Sequence, residues 1–437
     1  MAQGIEDGYL AACEIIRRDI FINAKAKTER ETGLKAEDLK GATLVDANTG
    51  VTLSPEDVRE RYAASSFEAS IIIKERVRAM ARDLFDQLLA TGAPEQKTII
   101  FCVRDSHADE VAIALNNLYA EWCRERGRAP LDHYAFKCTA SVQGGDYIAD
   151  LKGGTRHHFI ATTVDLLTTG VDVPNVRNIV FFRYVKSPIS FYQMVGRGTR
   201  LDPASGKLMF RVYDYTDATR LFGAEFVTRV RPAPTERPDV IVDPPPTDAP
   251  VVEVEEGISV QVTDAGRFIV AGVEGKAMPI PAEEYRQRLA ARLVEQAETL
   301  EEFRAKWIVP VERSKLLEHV RPYSPKALRA VEEMEEYDLY DVLADVGYGM
   351  SPHTRAERAE SFSYKQAEWL SRMPPATAKT VQAIASQFAR GGTEGLESNQ
   401  LLQTPEVKRA GGLNALKALE RPAREVLNET KERIFSA

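Results

Sequence analysis

The rhythm of apolar positions changes several times along the chain, and each change marks a segment. Residues 9–23 form an apolar, strand-like run, whereas 25–57 are polar with turn residues. In Ser54-Pro55-Glu56-Asp57, serine at a cap position followed by proline predicts a helix start. Ile73, Val77, Met80, Leu84 and Leu88 then recur every three or four residues, an amphipathic helix closed by Thr91-Gly92-Ala93-Pro94. From there short apolar runs alternate with helical stretches. Strands are predicted at 98–103, 159–163, 178–182 and 208–214, and helices at 106–119 (Val111, Leu115 and Leu118 inward) and 188–195. Strands spaced by helices imply a parallel α/β sheet with helices on both faces. Such sheets bind ligands at the carboxyl ends of their strands, which places the residues after Val103, Thr163 and Phe182 on a functional rim.

The pattern breaks at 232–256, where seven prolines sit among Asp, Glu and Thr without apolar periodicity. This reads as a stiff acidic linker. Beyond it a small β unit is expected, with strands at 259–262 and 267–270 around an Asp264-Ala265-Gly266 turn. From Ala282 onward Leu289, Leu293, Leu300, Phe303 and Trp307 keep a helical rhythm. The expected organisation is a lead-in segment at 1–70, an α/β domain at 71–231 and the linker at 232–256. A C-terminal domain follows at 257–437, with its β unit at 257–281 and helices at 282–437.

Composition changes this picture little. The net charge of −8 argues against a nucleic-acid partner, but residues 97–231 hold 18 Lys and Arg against 14 Asp and Glu, a surplus of four. A mildly basic module in an acidic chain is compatible with a phosphate backbone without demanding one. The four cysteines are scattered, and adjacent His157 and His158 would face opposite sides of a strand, so neither a disulfide framework nor a metal site is expected. With no membrane-length apolar run and no signal-peptide pattern, the expected compartment is the cytoplasm, with no membrane partner.

Candidate chemistry lies in three ordered segments. The first is the strand at 97–103 followed by Arg104-Asp105-Ser106-His107. The second runs from Ile160-Ala161-Thr162-Thr163 to Gly170-Val171-Asp172-Val173-Pro174. The third spans 187–200 and contains Gln193, Gly196, Arg197, Gly198 and Arg200. If the third is a helix throughout, Gln193, Arg197 and Arg200 share one face. Two planar, permanently charged guanidiniums there suit a polyphosphate, and the two glycines imply close approach by backbone or ligand. Thr162 and Thr163 suit nucleic-acid phosphates, and Asp172 suits a ribose hydroxyl or an arginine. Taken singly, the arginines read equally as a solvated face, and the Gly-Asp-Pro stretch as a plain turn.

Taken together, the segments resemble motifs IV, V and VI of superfamily 2 helicases and translocases, the third matching Q-x-x-G-R-x-x-R and the second T…G-x-D-x-P. The wording of 161–174, of Asn178-Ile179-Val180-Phe181-Phe182-Arg183 and of 190–201 is similar to the R subunits of type I restriction–modification enzymes. The stretches 300–307 and 338–348 are similar to the C-terminal domain of their EcoEI-like branch. The resemblance implies a second RecA-like lobe that completes an ATP and Mg2+ site formed with another lobe. Arg197 and Arg200 would reach the γ-phosphate, with Gln193, Gly170 and Asp172 lining the cleft. Thr162, Thr163 and Ser106 would contact the backbone of double-stranded DNA. It also implies docking onto the modification (M) and specificity (S) subunits. The sequence contains no G-x-x-x-x-G-K-[ST] loop, no D-E-x-H-type motif and no nuclease signature. It is therefore expected to represent the C-terminal half of such a subunit and not to hydrolyse ATP alone. Two other readings stay open: a non-catalytic assembly module, and lobe two of another superfamily 2 DNA or RNA helicase.

Overall fold

A computed structural model describes residues 4–5, 9–54, 56–139, 151, 158–164, 173–224, 250–273, 276–419 and 421–436. The chain divides into two compact units, Met1–Pro281 and Ala282–Ala437. The described strands of the first unit are β1 (Ala12–Ile22), β2 (Leu34–Lys35), β3 (Thr43–Asp46), β4 (Arg61–Tyr62), β5 (Ile71–Ile73), β6 (Thr98–Phe101) and β7 (Ala135–Lys137). They continue with β8 (Ile160–Thr163), β9 (Asn178–Phe181), β10 (Met209–Asp214), β11 (Val252–Glu256), β12 (Val260–Val273) and β13 (Lys276–Pro281). Eight of them make one sheet in the order β13-β12-β1-β10-β9-β6-β8-β7. All pairs from β1 to β7 are parallel, and β12 and β13 add an antiparallel margin.

The short central strands are apolar at every position because both faces are covered. Ile99, Phe101, Ile179 and Phe181 pack on one side against Phe191, Met194 and Val195 of the helix Pro188–Gly196. Ile100, Cys102, Val180 and Phe182 pack on the other against Val77, Met80, Leu84 and Leu88 of the helix Lys74–Ala90, and against Val111 and Leu115 of the helix Asp105–Glu125. Period-two alternation thus feeds two cores, each buried side chain contributing about 1.5–3 kcal/mol.

Four expectations need revision. The run at 9–23 is a strand, but an integral one: β1 lies between β10 and β12, where buried Glu14 accepts from Arg211 Nε at 2.9 Å and also pairs with Arg267. Asp264-Ala265-Gly266 is no turn. It lies inside the continuous strand β12, where the register with β1 shifts between Ile16 and Arg18, so its turn chemistry serves a bulge with Gly266 at φ +105°. Residues 257–281 accordingly belong with the first unit. Ser54 starts no helix; its N–H and hydroxyl both bond Asp57 Oδ2 at 2.8 Å in a turn. Finally, Val252–Glu256 at the end of the proline-rich stretch is a strand paired with β3 and β5, while 232–249 lie outside the described residues.

The second unit is helical. Leu289, Leu293, Phe303 and Trp307 are buried as their spacing predicts, and Leu300 is half-buried. Trp307 Nε1 donates to Thr393 Oγ1 at 3.1 Å, and Asp338 accepts from the Thr393 amide and hydroxyl at 2.7 and 2.8 Å. This bonding seats a kink at Gly392 (φ +55°), where a Cβ would lie 2.4 Å from Asp338 Oδ2, so only glycine fits. Arg358 and Asp341 form a buried pair at 2.7 Å.

Candidate functional site

The third motif begins where the sequence places it. Ser187 caps the helix Pro188–Gly196, its hydroxyl accepting from the Ser190 amide at 3.4 Å, and Pro188 occupies the first turn. Phe191, Met194 and Val195 turn into the core, and Gln193 is exposed. The helix does not run on to Arg200. It stops at Gly196 with Arg197 as its C-cap, because glycine disfavours helix by about 1 kcal/mol and Gly198 is pressed onto β10. A Cβ on Gly198 would sit 2.3 Å from the Phe210 ring, whereas nothing lies within 4 Å of one on Gly196. Gln193 and Arg197 therefore keep their i, i+4 relation, and Arg200 lies on the turn beyond. Arg197 is half-buried and Arg200 exposed.

That turn is fastened to the second motif by a residue the sequence does not single out. Asp202 and Lys207 pair across a tight reversal, with amide bonds of 3.0 and 2.9 Å and Gly206 at φ +71°. The reversal sends Lys207 inward, to 0% exposure. Its Nζ donates to Pro174 O at 2.8 Å and to Gly198 O at 2.9 Å. Burial, then the nearby Arg177 charge, pulls its pKa down to about 7. Pro174 closes the second motif, so the exit of that loop and the arginine turn form one assembly. This assembly lies at the amino ends of the strands, where Thr199 O accepts from the Ala11 amide just before β1 at 2.8 Å. Gly170 and Asp172 lie outside the described residues. A lone lysine after a turn reads as solvated, and no periodicity marks it as buried.

The remaining predicted residues lie at the carboxyl ends. Thr162 is fully buried, and its hydroxyl donates to Ala108 O at 2.9 Å and Phe136 O at 3.3 Å. It ties the helix Asp105–Glu125 and β7 to the sheet, and so is not placed to hold a phosphate. Thr163, the last residue of β8, is also buried, with no hydrogen-bond partner for its hydroxyl among the described residues. Ser106 is exposed in the first turn of the helix that follows β6. Beside it His107 is buried, accepts from the Val103 amide at 3.2 Å, and is held neutral, its pKa lowered to about 3 by burial and by Arg76 and Arg104. Asp214, ending β10, is fully buried and accepts from the amides of Thr216, Ala218 and Thr219 at 3.1, 2.9 and 2.8 Å and from the Thr219 hydroxyl at 2.6 Å.

The predicted residues therefore separate. Ser106 and Thr163 occupy the carboxyl edge, while Gln193, Arg197 and Arg200 go with Pro174 on the amino edge. Among the described residues, no group of three or more His, Cys, Asp or Glu side chains is placed to hold a metal ion. In the same residues no helix is long and apolar enough to cross a membrane.

Comparison with known proteins accounts for both units. Residues 80–202 match the helicase conserved C-terminal domain, and residues 283–434 match the EcoEI R protein C-terminal family. The endonuclease subunit of the type I restriction enzyme EcoAI from Escherichia coli is 27% identical over 457 residues, covering 92% of this chain and 52% of that protein. The EcoKI endonuclease subunit from Escherichia coli K12 is 31% identical over 242 residues, covering 53% of this chain and 18% of that protein. A structure described as a fragment of an HsdR subunit of a type I restriction enzyme from Vibrio vulnificus shares 33% identity over 49% of this chain and 33% of its own, with a TM-score of 0.33. The chain spans about half the length of the first of these curated relatives and less of the second. It is a relative of the endonuclease subunits of type I restriction enzymes, and carries a helicase conserved C-terminal domain followed by an EcoEI R protein C-terminal domain.

Proposed function

We propose that the first unit is the second RecA-like lobe of an ATP-driven motor that moves double-stranded DNA, and that its amino edge is the nucleotide-facing side. Arg197 and Arg200 present planar donor forks, suited to the charge that builds on a terminal phosphate during transfer. Gln193, one helical turn before Arg197, lines the same side, and a Cβ on Gly196 would meet nothing within 4 Å. Gly170 and Asp172 precede Pro174 in the second motif, and we assign them to the same cleft. The nucleotide and its Mg2+ would be held chiefly by a lobe carrying the phosphate-cradling loop and magnesium carboxylates, motifs this sequence does not contain. Ser106 and Thr163 on the other edge would meet the DNA backbone, a contact independent of base sequence. The second unit would dock onto the modification and specificity subunits.

The observation that carries this reading is the meeting of Pro174 and Gly198 on one lysine, which brings the ends of the second and third motifs together although they are far apart in sequence. The test is Arg197→Ala in the full-length subunit. Turnover of ATP should fall at least ~10³-fold while nucleotide binding survives. A near-normal rate would remove Arg197 from the chemistry.

A further inference from the structure

Lys207 is a fully buried amine at the amino edge, next to the arginine turn. Burying an ammonium costs several kcal/mol on the order of magnitude unless it is paired. Among the described residues, Lys207 forms no ion pair and meets two backbone carbonyls instead. A methionine would fill the same volume without that cost, so packing alone does not account for an amine. The two carbonyls belong to two different loops: Pro174 ends the Gly-Val-Asp-Val-Pro stretch, and Gly198 lies between Arg197 and Arg200. A lysine that has lost its proton keeps two N–H donors, one for each carbonyl, and burial lowers its pKa to about 7. The Asp202–Lys207 reversal is itself braced, with Arg177 Nη2 donating to Ser205 O at 2.6 Å.

We propose that Lys207 is a positioning residue: a staple that fixes the arginine turn against the Pro174 loop and so sets where Arg197 and Arg200 point. The inference rests on the motor reading above. It gives Lys207 no contact with nucleotide; its effect passes through the backbone at Gly198. Because the arginines would act on charge that develops during phosphoryl transfer, a loosened turn should lower turnover and leave ground-state binding nearly unchanged.

The experiment compares Lys207→Met, Lys207→Gln and Arg197→Ala in the full-length subunit, by steady-state ATP hydrolysis and by backbone hydrogen exchange. Lys207→Met should lower kcat about 100-fold with KM for ATP within about twofold, and Lys207→Gln, which keeps two N–H donors on a shorter stem, should fall in between. Exchange at 196–201 should speed up in Lys207→Met while that of β1 and β6 stays as in the parent. On an Arg197→Ala background, Lys207→Met should add little, since both act through the same group. Normal kcat in Lys207→Met overturns the staple, as does unchanged exchange at 196–201 or a full additional loss on the Arg197→Ala background. Loss of folding in both Lys207 variants assigns the residue to stability alone and equally overturns it. If Arg197→Ala leaves turnover intact, the motor reading fails instead.

Discussion

At the carboxyl edge of the main sheet most polar side chains turn inward and are already engaged. Thr162 bonds two carbonyls, Asp214 accepts from three amides and a hydroxyl, and His107 accepts from Val103. At the amino edge the arrangement reverses: a buried lysine holds backbone together, while Gln193 and Arg200 reach solvent. Parallel α/β sheets commonly take ligands at their carboxyl ends, and on the proposed reading Ser106 and Thr163 would obey that rule. The arginines do not. A sheet with one ligand edge would be an ordinary binding domain. A lobe that faces nucleotide on one side and a nucleic-acid track on the other has the layout a motor needs, since each edge can then report to the other through the strands between.

Substituting the two edges should therefore give opposite profiles. The largest effect is that of Arg197→Ala on turnover, at least ~10³-fold, with a smaller loss of folding stability than Asp214→Ala because the side chain is only half-buried. Asp214→Ala should do the converse. It strands three buried amides, so urea unfolding should show a loss of about 4 kcal/mol. If Asp214→Ala were as stable as the parent, or Arg197→Ala were strongly destabilised, the division of labour between the edges would not stand.

Smaller effects sharpen the contrast within the carboxyl edge. Thr162→Val keeps shape but removes the hydroxyl, and should cost about 1 kcal/mol of stability without changing DNA affinity. Ser106→Glu places a negative charge where a phosphate would lie, and should weaken DNA binding about tenfold at unchanged stability. Filter binding at fixed salt, paired with thermal melts, separates the two. A tenfold loss of DNA affinity in Thr162→Val at unchanged stability would return that threonine to the track.

How much of this was legible in the sequence follows from how local each feature is. The helix faces of Val77, Met80, Leu84 and Leu88 and the cap at Ser187 depend on neighbours within one or two turns, and both are present. The placement of β1 depends on pairing with β10, nearly 200 residues away, so an apolar run could be read as a strand but not located. Asp264-Ala265-Gly266 shows the limit of turn chemistry: the same residues that allow a reversal allow a bulge, and only the partner strand decides. The glycines at 196 and 198 did announce a special backbone, but not that one answers Phe210 and the other open space. Thr162 and Thr163 are adjacent and chemically identical, yet the hydroxyl of Thr162 is engaged by Ala108 and Phe136, a distinction that only the packed helix supplies.

A final expected effect concerns the buried charges beneath the carboxyl edge. Arg76, fully enclosed, holds Glu29 at 2.7 Å and reaches Glu68 at 3.4 Å. Glu68 is buried in a left-handed backbone conformation (φ +61°). Its pKa is pushed up to about 8 by burial, against the pull of Arg76 and with Glu110, Glu29 and Arg104 also acting on it. A carboxyl whose pKa is higher folded than unfolded binds more protons in the folded state between the two values. Its stabilising contribution is complete below its ordinary pKa of 4.5 and is lost as pH rises through about 8. Glu68→Gln removes that titration while Arg76 keeps its two-pronged hold on Glu29. Urea midpoints taken at about pH 5 and about pH 9 should therefore differ less in Glu68→Gln than in the parent. Parallel falls in the two proteins would mean that Glu68 is ionised when folded, and that Arg76 with Glu29 and Glu68 forms a fixed ionic cluster, unresponsive to pH in this range.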